Sequence, residues 1–160
     1  MRKPLMYLDN CCFNCPYDDQ SQVRISLETQ AKLFVQHKIK HGEYVLAWSF
    51  ILTAENDDNP YGERQQEILK WANIAKITVT PEEAILRHAQ KLWQSFGIGG
   101  KDAFHLACAL RAGCRYFLTT DDKLIKKTRY LADLVVMNPV HFVELMEESD
   151  DDQNGNSNPL

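Results

Sequence analysis

The stretch 98–127, IGGKDAFHLACALRAGCRYFLTTDDKLIKK, restricts the fold more than any other part of the chain. Ala103, Leu106, Ala107 and Leu110 fall at relative positions 0, 3, 4 and 7, one face of an amphipathic helix, and the alanines allow that helix to lie close against a sheet. Gly113 predicts a left-handed stop. Arg115 to Thr119 holds Tyr116, Phe117 and Leu118, an apolar run with the length and residue types of a buried strand. Asp121 then opens a second helix at the carboxyl end of that strand, where open α/β sheets place their ligands. Helix, glycine turn, buried strand and helix in succession commit the chain to an α/β fold. They also put Asp102 and Asp121 at the mouth of a cleft.

The alternation extends in both directions. Residues 5–8 read as a buried strand with Asp9 and Asn10 at its carboxyl end, and 11–19 as a loop. Asp19 and Gln22 have the spacing of a capping box for a helix over 21–40, with Val23, Leu27, Ala31 and Phe34 as its apolar stripe. A second strand is expected over 44–47, and a helix carrying Glu55 from Trp48. NDDNP (56–60) predicts a turn, with a helix from 60 or 61 to 73 and a third strand over 75–79 after it. Thr80-Pro81-Glu82-Glu83 has the order of a helix start, cap then proline then acids, for a helix reaching 95 or 96. A short helix (121–129), a fifth strand (134–137) and a last helix (140–148) follow. SDDDQNGNSNPL (149–160) reads as a disordered acidic tail. Strands alternating with helices over 1–148 predict one domain with a parallel sheet flanked by helices.

Charge does not oppose a nucleic-acid substrate. The net charge is −4 over 160 residues, but from Glu144 onward there are six acids and no Lys or Arg, so the 18 basic residues of 1–143 face 16 acidic ones. No apolar run approaches the ~18 residues of a membrane span, and the MRKP start lacks the apolar core of a secretory signal. A cytoplasmic protein without a membrane partner is therefore expected. Five cysteines, an odd number, argue against a disulfide framework.

Four acids are candidates for one site: Asp9 and Asp121 after the first and fourth strands, Glu55 just past the second, and Asp102 at the start of the helix leading into the fourth. Together they would repel and resist ionisation unless a cation compensates, and oxygen ligands of this kind suit Mg²⁺ or Mn²⁺. Such an ion orients a phosphodiester, lowers the pKa of bound water and offsets charge on a leaving oxygen. Asn10, Thr119 and Thr120 could orient carboxylates or water, and Lys101, Lys123, Lys126 and Lys127 could hold the phosphate backbone. Plainer roles compete: Asp102 and Asp121 are also good helix caps, Asp122 could replace Asp121, and Asp57 or Asp58 could replace Glu55. His105 could be a ligand or proton shuttle, or a histidine on a partly exposed helix face. Cys12-Phe13-Asn14-Cys15 invites a redox reading, opposed by Pro16 and by acidic neighbours that raise a thiol's pKa. With Cys11 these cysteines could hold zinc, but no fourth ligand is evident. Glu28, four after Arg24, suits a helix ion pair. Trp48, Trp71 and Trp93 read as packing.

Leu8-Asp9-Asn10, Glu55 in an early helix, KDAFHLA (101–107) and Leu118-Thr119-Thr120-Asp121 together resemble the acidic motifs of PIN-domain ribonucleases, including VapC-type toxins. The LDNCCFN opening is similar to that of a less characterised branch. The resemblance covers about 1–145 and implies a three-layer fold with a central parallel sheet of order 3-2-1-4-5. It implies Asp9, Glu55, Asp102 and Asp121 as ligands of one or two Mg²⁺ or Mn²⁺, and RNA cleavage by water leaving 5′-phosphate and 3′-hydroxyl ends. A homodimer and an antitoxin partner are implied for toxin members. Asn10 and Cys11 depart from the family's usual residues, and a PIN-like module that binds RNA or protein without cutting is the alternative.

Overall fold

The sheet is built outward from a nearly sealed central strand. In the computed structural model, which describes residues 2–155, β1 (Leu5–Leu8) lies between β2 (Val45–Ser49) and β4 (Tyr116–Leu118). β3 (Ile77–Val79) and β5 (Val135–Met137) form the edges, and the order is β3-β2-β1-β4-β5. Every pairing is parallel. This is the three-layer arrangement and strand order that the resemblance implied. Parallel strands covered on both faces are continuously apolar rather than alternating, which explains YFL in β4 and the near-total burial of Met6, Tyr7 and Leu8.

Eight α-helices connect and flank the strands among the described residues: α1 (Asn10–Asn14), α2 (Val23–Lys40), α3 (Phe50–Asp57), α4 (Gly62–Ile74), α5 (Glu83–Phe96), α6 (Gly100–Ala112), α7 (Asp122–Lys127) and α8 (Pro139–Gly155). Aromatic contacts show which helices cover which strand residues. Tyr7 stacks on Phe117 at 5.2 Å and meets the His105 ring of α6 edge-on. Tyr116, the next residue along β4, turns to Phe142 of α8 at 5.0 Å, and Tyr44 meets the same ring at 5.7 Å. Phe142 is fully buried, so Phe142→Ala should cost about 3–5 kcal/mol, read as a lower urea midpoint with unchanged slope.

Gly113 terminates α6 as expected, at φ 78°, its amide bonded to the carbonyls of Ala109 and Leu110. Several other expectations are corrected. Residues 11–17 are not an irregular loop: α1 is followed by a 3-10 turn, Cys15–Tyr17. Asp19 does not cap α2; it accepts from the backbone and hydroxyl of Ser21, and Gln22 precedes the helix without a side-chain cap. The strand β2 continues through Trp48 to Ser49, whose hydroxyl then caps α3. Thr80-Pro81 lies outside α5, which starts one residue after Glu82. Helix α8 runs on to Gly155, so 149–155 is helical rather than a disordered tail; no Pro or Gly interrupts the chain between Pro139 and Gly155, and Ser149 bonds back to the Leu145 carbonyl. Positions 156–160 of the expected tail lie outside the described residues.

Two packing expectations also change. On α2, Val23 is 74% and Leu27 49% exposed, while Glu28, Lys32 and Gln36 are buried with Val35 and Ile39. Polar groups tolerate burial when bonded: Asn138 donates to Glu28 at 2.6 Å, and Lys32 to the Phe13 carbonyl at 3.4 Å. Glu28 also pairs with Arg24 as expected, at 3.5 Å. Trp48 and Trp71 are buried, but Trp93 is 61% exposed, its ring lying against Gly99, where a Cβ would come within 2.7 Å.

Candidate functional site

The order β3-β2-β1-β4-β5 reverses between β1 and β4, which opens a crevice at their carboxyl ends. The β1–β4 ladder runs through Leu8 opposite Leu118 and is extended by the Asp9 amide donating to the Leu118 carbonyl at 2.9 Å. Asp9 therefore stands beside Thr119. The buried Thr119 hydroxyl donates to Asp9 Oδ2 at 2.9 Å and accepts from the Asp121 amide at 3.2 Å. One hydroxyl thus orients acids that are 112 positions apart in the chain. Asp9 Oδ1 accepts from the Asn10 amide at 2.8 Å.

The other two acids come from helices. Glu55 projects from α3 and Asp102 from the first turn of α6. Gly99 is the N-cap of α6, so Asp102 does not cap it. Asp121 does cap α7, its Oδ1 accepting from the amides of Lys123 and Leu124 at 3.0 and 3.2 Å. The competing acids are disposed of differently. Asp122 is held by Arg24 through two bonds of 2.8 and 2.9 Å, and Asp57 and Asp58 are exposed near the end of α3.

Electrostatics place the four candidate acids in one field. Burial raises the Asp102 carboxyl above its ordinary value, the charges of Asp9 and Asp121 raise it further, and Glu55 adds to them against His105. Burial alone would also raise Glu55. The hydrogen bond from His105, with Lys101 and a bond from Asn10, overcomes it and holds Glu55 below its ordinary value. Among the described residues, no group of three or more His, Cys, Asp or Glu side chains is drawn up as a ready-made metal cage. What fits a hard divalent cation is the donor chemistry, carboxylate oxygens whose mutual repulsion such an ion relieves.

His105 is not on a partly exposed face: it is 1% exposed. Nε2 lies 2.5 Å from Glu55 Oε1 and 3.9 Å from Asp9 Oδ1, and Nδ1 lies 2.6 Å from the Tyr7 hydroxyl. Tyr7 meets the Ser49 hydroxyl at 2.6 Å, and Ser49 accepts from the Leu52 amide at 3.3 Å. With both ring nitrogens engaged, the imidazole offers no lone pair to a metal. Burial pushes the Tyr7 phenol well above its ordinary value, with Cys108, Asp9 and Glu55 pushing the same way against the Ser49 bond. The phenol therefore keeps its proton. Tyr7 and Ser49 were not legible as site residues. The available signal was a lone phenol in an apolar strand, since a buried hydroxyl requires a partner.

The remaining candidates divide. Asn10 reaches both Asp9 and Glu55, whereas Thr120 gives its amide to Cys11 and its carbonyl to Arg24. Lys101 is exposed on the first turn of α6, and Lys123, Lys126 and Lys127 are exposed on α7, with Lys127 donating to the Gly97 carbonyl at 3.3 Å. Cys12 is fully buried and its thiol meets the Leu118 carbonyl at 3.4 Å, which denies it the access a redox nucleophile needs. At Cys11, hydrogen bonding with Cys12, then with Thr120, lowers the thiol against burial and the Asp9 charge. The Cys15 side chain lies outside those described.

A PIN domain family model matches residues 6–130, and the chain belongs to the PIN domain family. Among solved structures, it resembles VapBC2 from Rickettsia felis bound to a DNA fragment from their promoter, with 14% identity, a TM-score of 0.53, and coverage of 84% of this chain and 98% of that chain. FitAcB from Neisseria gonorrhoeae gives 18% identity, a TM-score of 0.53, and 85% and 99% coverage. FitAB bound to an IR36 DNA fragment gives 16%, 0.56, and 85% and 96%. At these identities the likeness shows the fold. Comparison with curated protein sequences gave no significant match. No helix among the described residues is long and apolar enough to cross a membrane.

Proposed function

We propose that this PIN domain is a metal-dependent endoribonuclease and the toxin of a toxin–antitoxin pair. The observation that carries the catalytic part is the meeting of Asp9 and the turn into Asp121 on the Thr119 hydroxyl at the crevice where strand order reverses, with Asp102 close enough for both acids and Glu55 to raise its carboxyl. Asp9, Glu55, Asp102 and Asp121 would hold Mg²⁺ or Mn²⁺. When bound, such an ion lowers the pKa of water, orients the phosphodiester and offsets charge on the leaving oxygen. The chain's own contributions are positional: Thr119 fixes Asp9 and the turn into Asp121, Asn10 supports Asp9 and Glu55, and α7 presents its lysines to phosphate. The toxin part is supported by the likeness in fold to VapBC2 and FitAB. An antitoxin and a second copy of the chain are the protein partners it implies.

The purified protein should cut single-stranded RNA with Mn²⁺, leaving 5′-phosphate ends, and be inert with a chelator. Cutting in the chelator, or no cutting with any divalent ion, contradicts the proposal. Replacing Lys123, Lys126 and Lys127 by Ala should weaken RNA binding and reduce the slope of log K against log salt by about 2, the value for three phosphate contacts on a single strand. Binding titrations at several salt concentrations measure it.

A further inference from the structure

We infer that His105 is a positioning residue, locked by Tyr7 and Ser49, that holds Glu55 beside Asp9 for a divalent cation. The inference rests on the metal reading above and goes beyond the four acids. His105 comes from α6, Tyr7 from β1, Ser49 from the end of β2 and Glu55 from α3, so the chain of bonds ties four elements to one carboxylate. With one proton on Nε2 it runs in a single direction. The Leu52 amide donates to Ser49, Ser49 to Tyr7, Tyr7 to His105 Nδ1, and His105 Nε2 to Glu55. No buried atom along it lacks a partner, as a network must manage if it is to stiffen a site. The Nε2–H and the bond from Asn10 take two of the four lone-pair positions of the Glu55 carboxylate, which leaves the others for an ion. Nε2 is also 3.9 Å from Asp9 Oδ1, too far to bond it, so the Glu55 oxygen it holds and this Asp9 oxygen lie around one nitrogen. Groups that hold metal-binding carboxylates typically change metal affinity by about 10–100-fold when removed.

The test compares Mn²⁺ titration calorimetry with thermal melting for His105→Gln, His105→Asn and Tyr7→Phe. Glutamine keeps an N–H at the place of Nε2, and asparagine falls a bond short. Both lose the ring that packs on Tyr7, so both should melt lower. The expected result is that His105→Gln, which keeps the donor but loses the Tyr7 bond, binds Mn²⁺ about 10-fold more weakly than wild type, and His105→Asn, which loses both, about 100-fold more weakly. Tyr7→Phe keeps its ring and fold, and should weaken Mn²⁺ binding about 10-fold; it carries the test if the His105 variants do not fold. Equal Mn²⁺ affinity in wild type, His105→Asn and Tyr7→Phe, with lower melting temperatures, would make the network structural only and overturn this inference while leaving the nuclease reading intact. Wild-type protein that ignores Mn²⁺ overturns both.

Discussion

Asp9→Asn should reduce Mn²⁺-dependent RNA cleavage by about 100-fold or more, at least the upper end of what loss of a mere supporting partner costs, while the variant melts no lower than wild type. The expectation follows from the two oxygens. Oδ1 takes the Asn10 amide, which an asparagine oxygen can still accept, and Oδ2 takes the Thr119 hydroxyl. After substitution the Thr119 oxygen can accept from the new amide and from the Asp121 amide on its two lone pairs, while its own proton turns to Cys11 Sγ at 3.6 Å. Local geometry is thereby conserved, and what disappears is one negative charge that raises Asp102. Cleavage assays and melting curves on the same preparation separate the roles. An Asp9→Asn protein that melts much lower and still cuts would reduce Asp9 to a structural residue.

The second large effect is a reversal in the sign of Asp102→Asn with metal. Without metal the variant should be the more stable protein at neutral pH. The folded Asp102 carboxyl titrates above its unfolded value because of burial and then the Asp9 and Asp121 charges. The folded state thus binds that proton more tightly, and wild-type stability falls as pH rises from the ordinary carboxylate value through the raised one. The variant has no such loss, so its advantage is absent at about pH 3, below the ordinary carboxylate value, and present at about pH 7.5, above it. Mn²⁺ inverts the order. At a hundred times its dissociation constant a ligand stabilises by about 2.7 kcal/mol, about 5–10 °C for a domain of this size, and wild type should gain that where Asp102→Asn gains little. Melting curves at both pH values, with and without Mn²⁺, read all four corners. A variant less stable than wild type without metal at neutral pH would mean that Asp102 has a stabilising partner in the fold.

The places of the candidate acids in the fold were legible because each sits at a punctuation mark, a strand's end or a helix's first turns, and such places can be read from local pattern. Asp9 after LMYL and Asp121 after YFLTT needed only the strands to be recognised. The strand order came from the family resemblance, since nothing in the local pattern says that β1 lies between β2 and β4. Illegibility began wherever a partner lay far along the chain. Tyr7 is 42 residues from Ser49 and 98 from His105, so local pattern does not show that the imidazole is buried. Helix α2 misled for the same reason: counting apolar residues selected Val23 and Leu27, while the buried face carries Glu28, which finds its partner in Asn138, 110 residues away. At Trp48 the error was local. Ser49 caps α3 from the last position of β2, and the strand reaches the cap without a break.

Direct titration of Mn²⁺ into wild type, Asp9→Asn and Asp121→Asn tests most sharply whether residues from opposite ends of the chain make one cation site. Wild type should bind, and both substitutions should weaken binding together. Contradiction would come from wild-type protein that releases no binding heat, or from a site lost in one variant and untouched in the other.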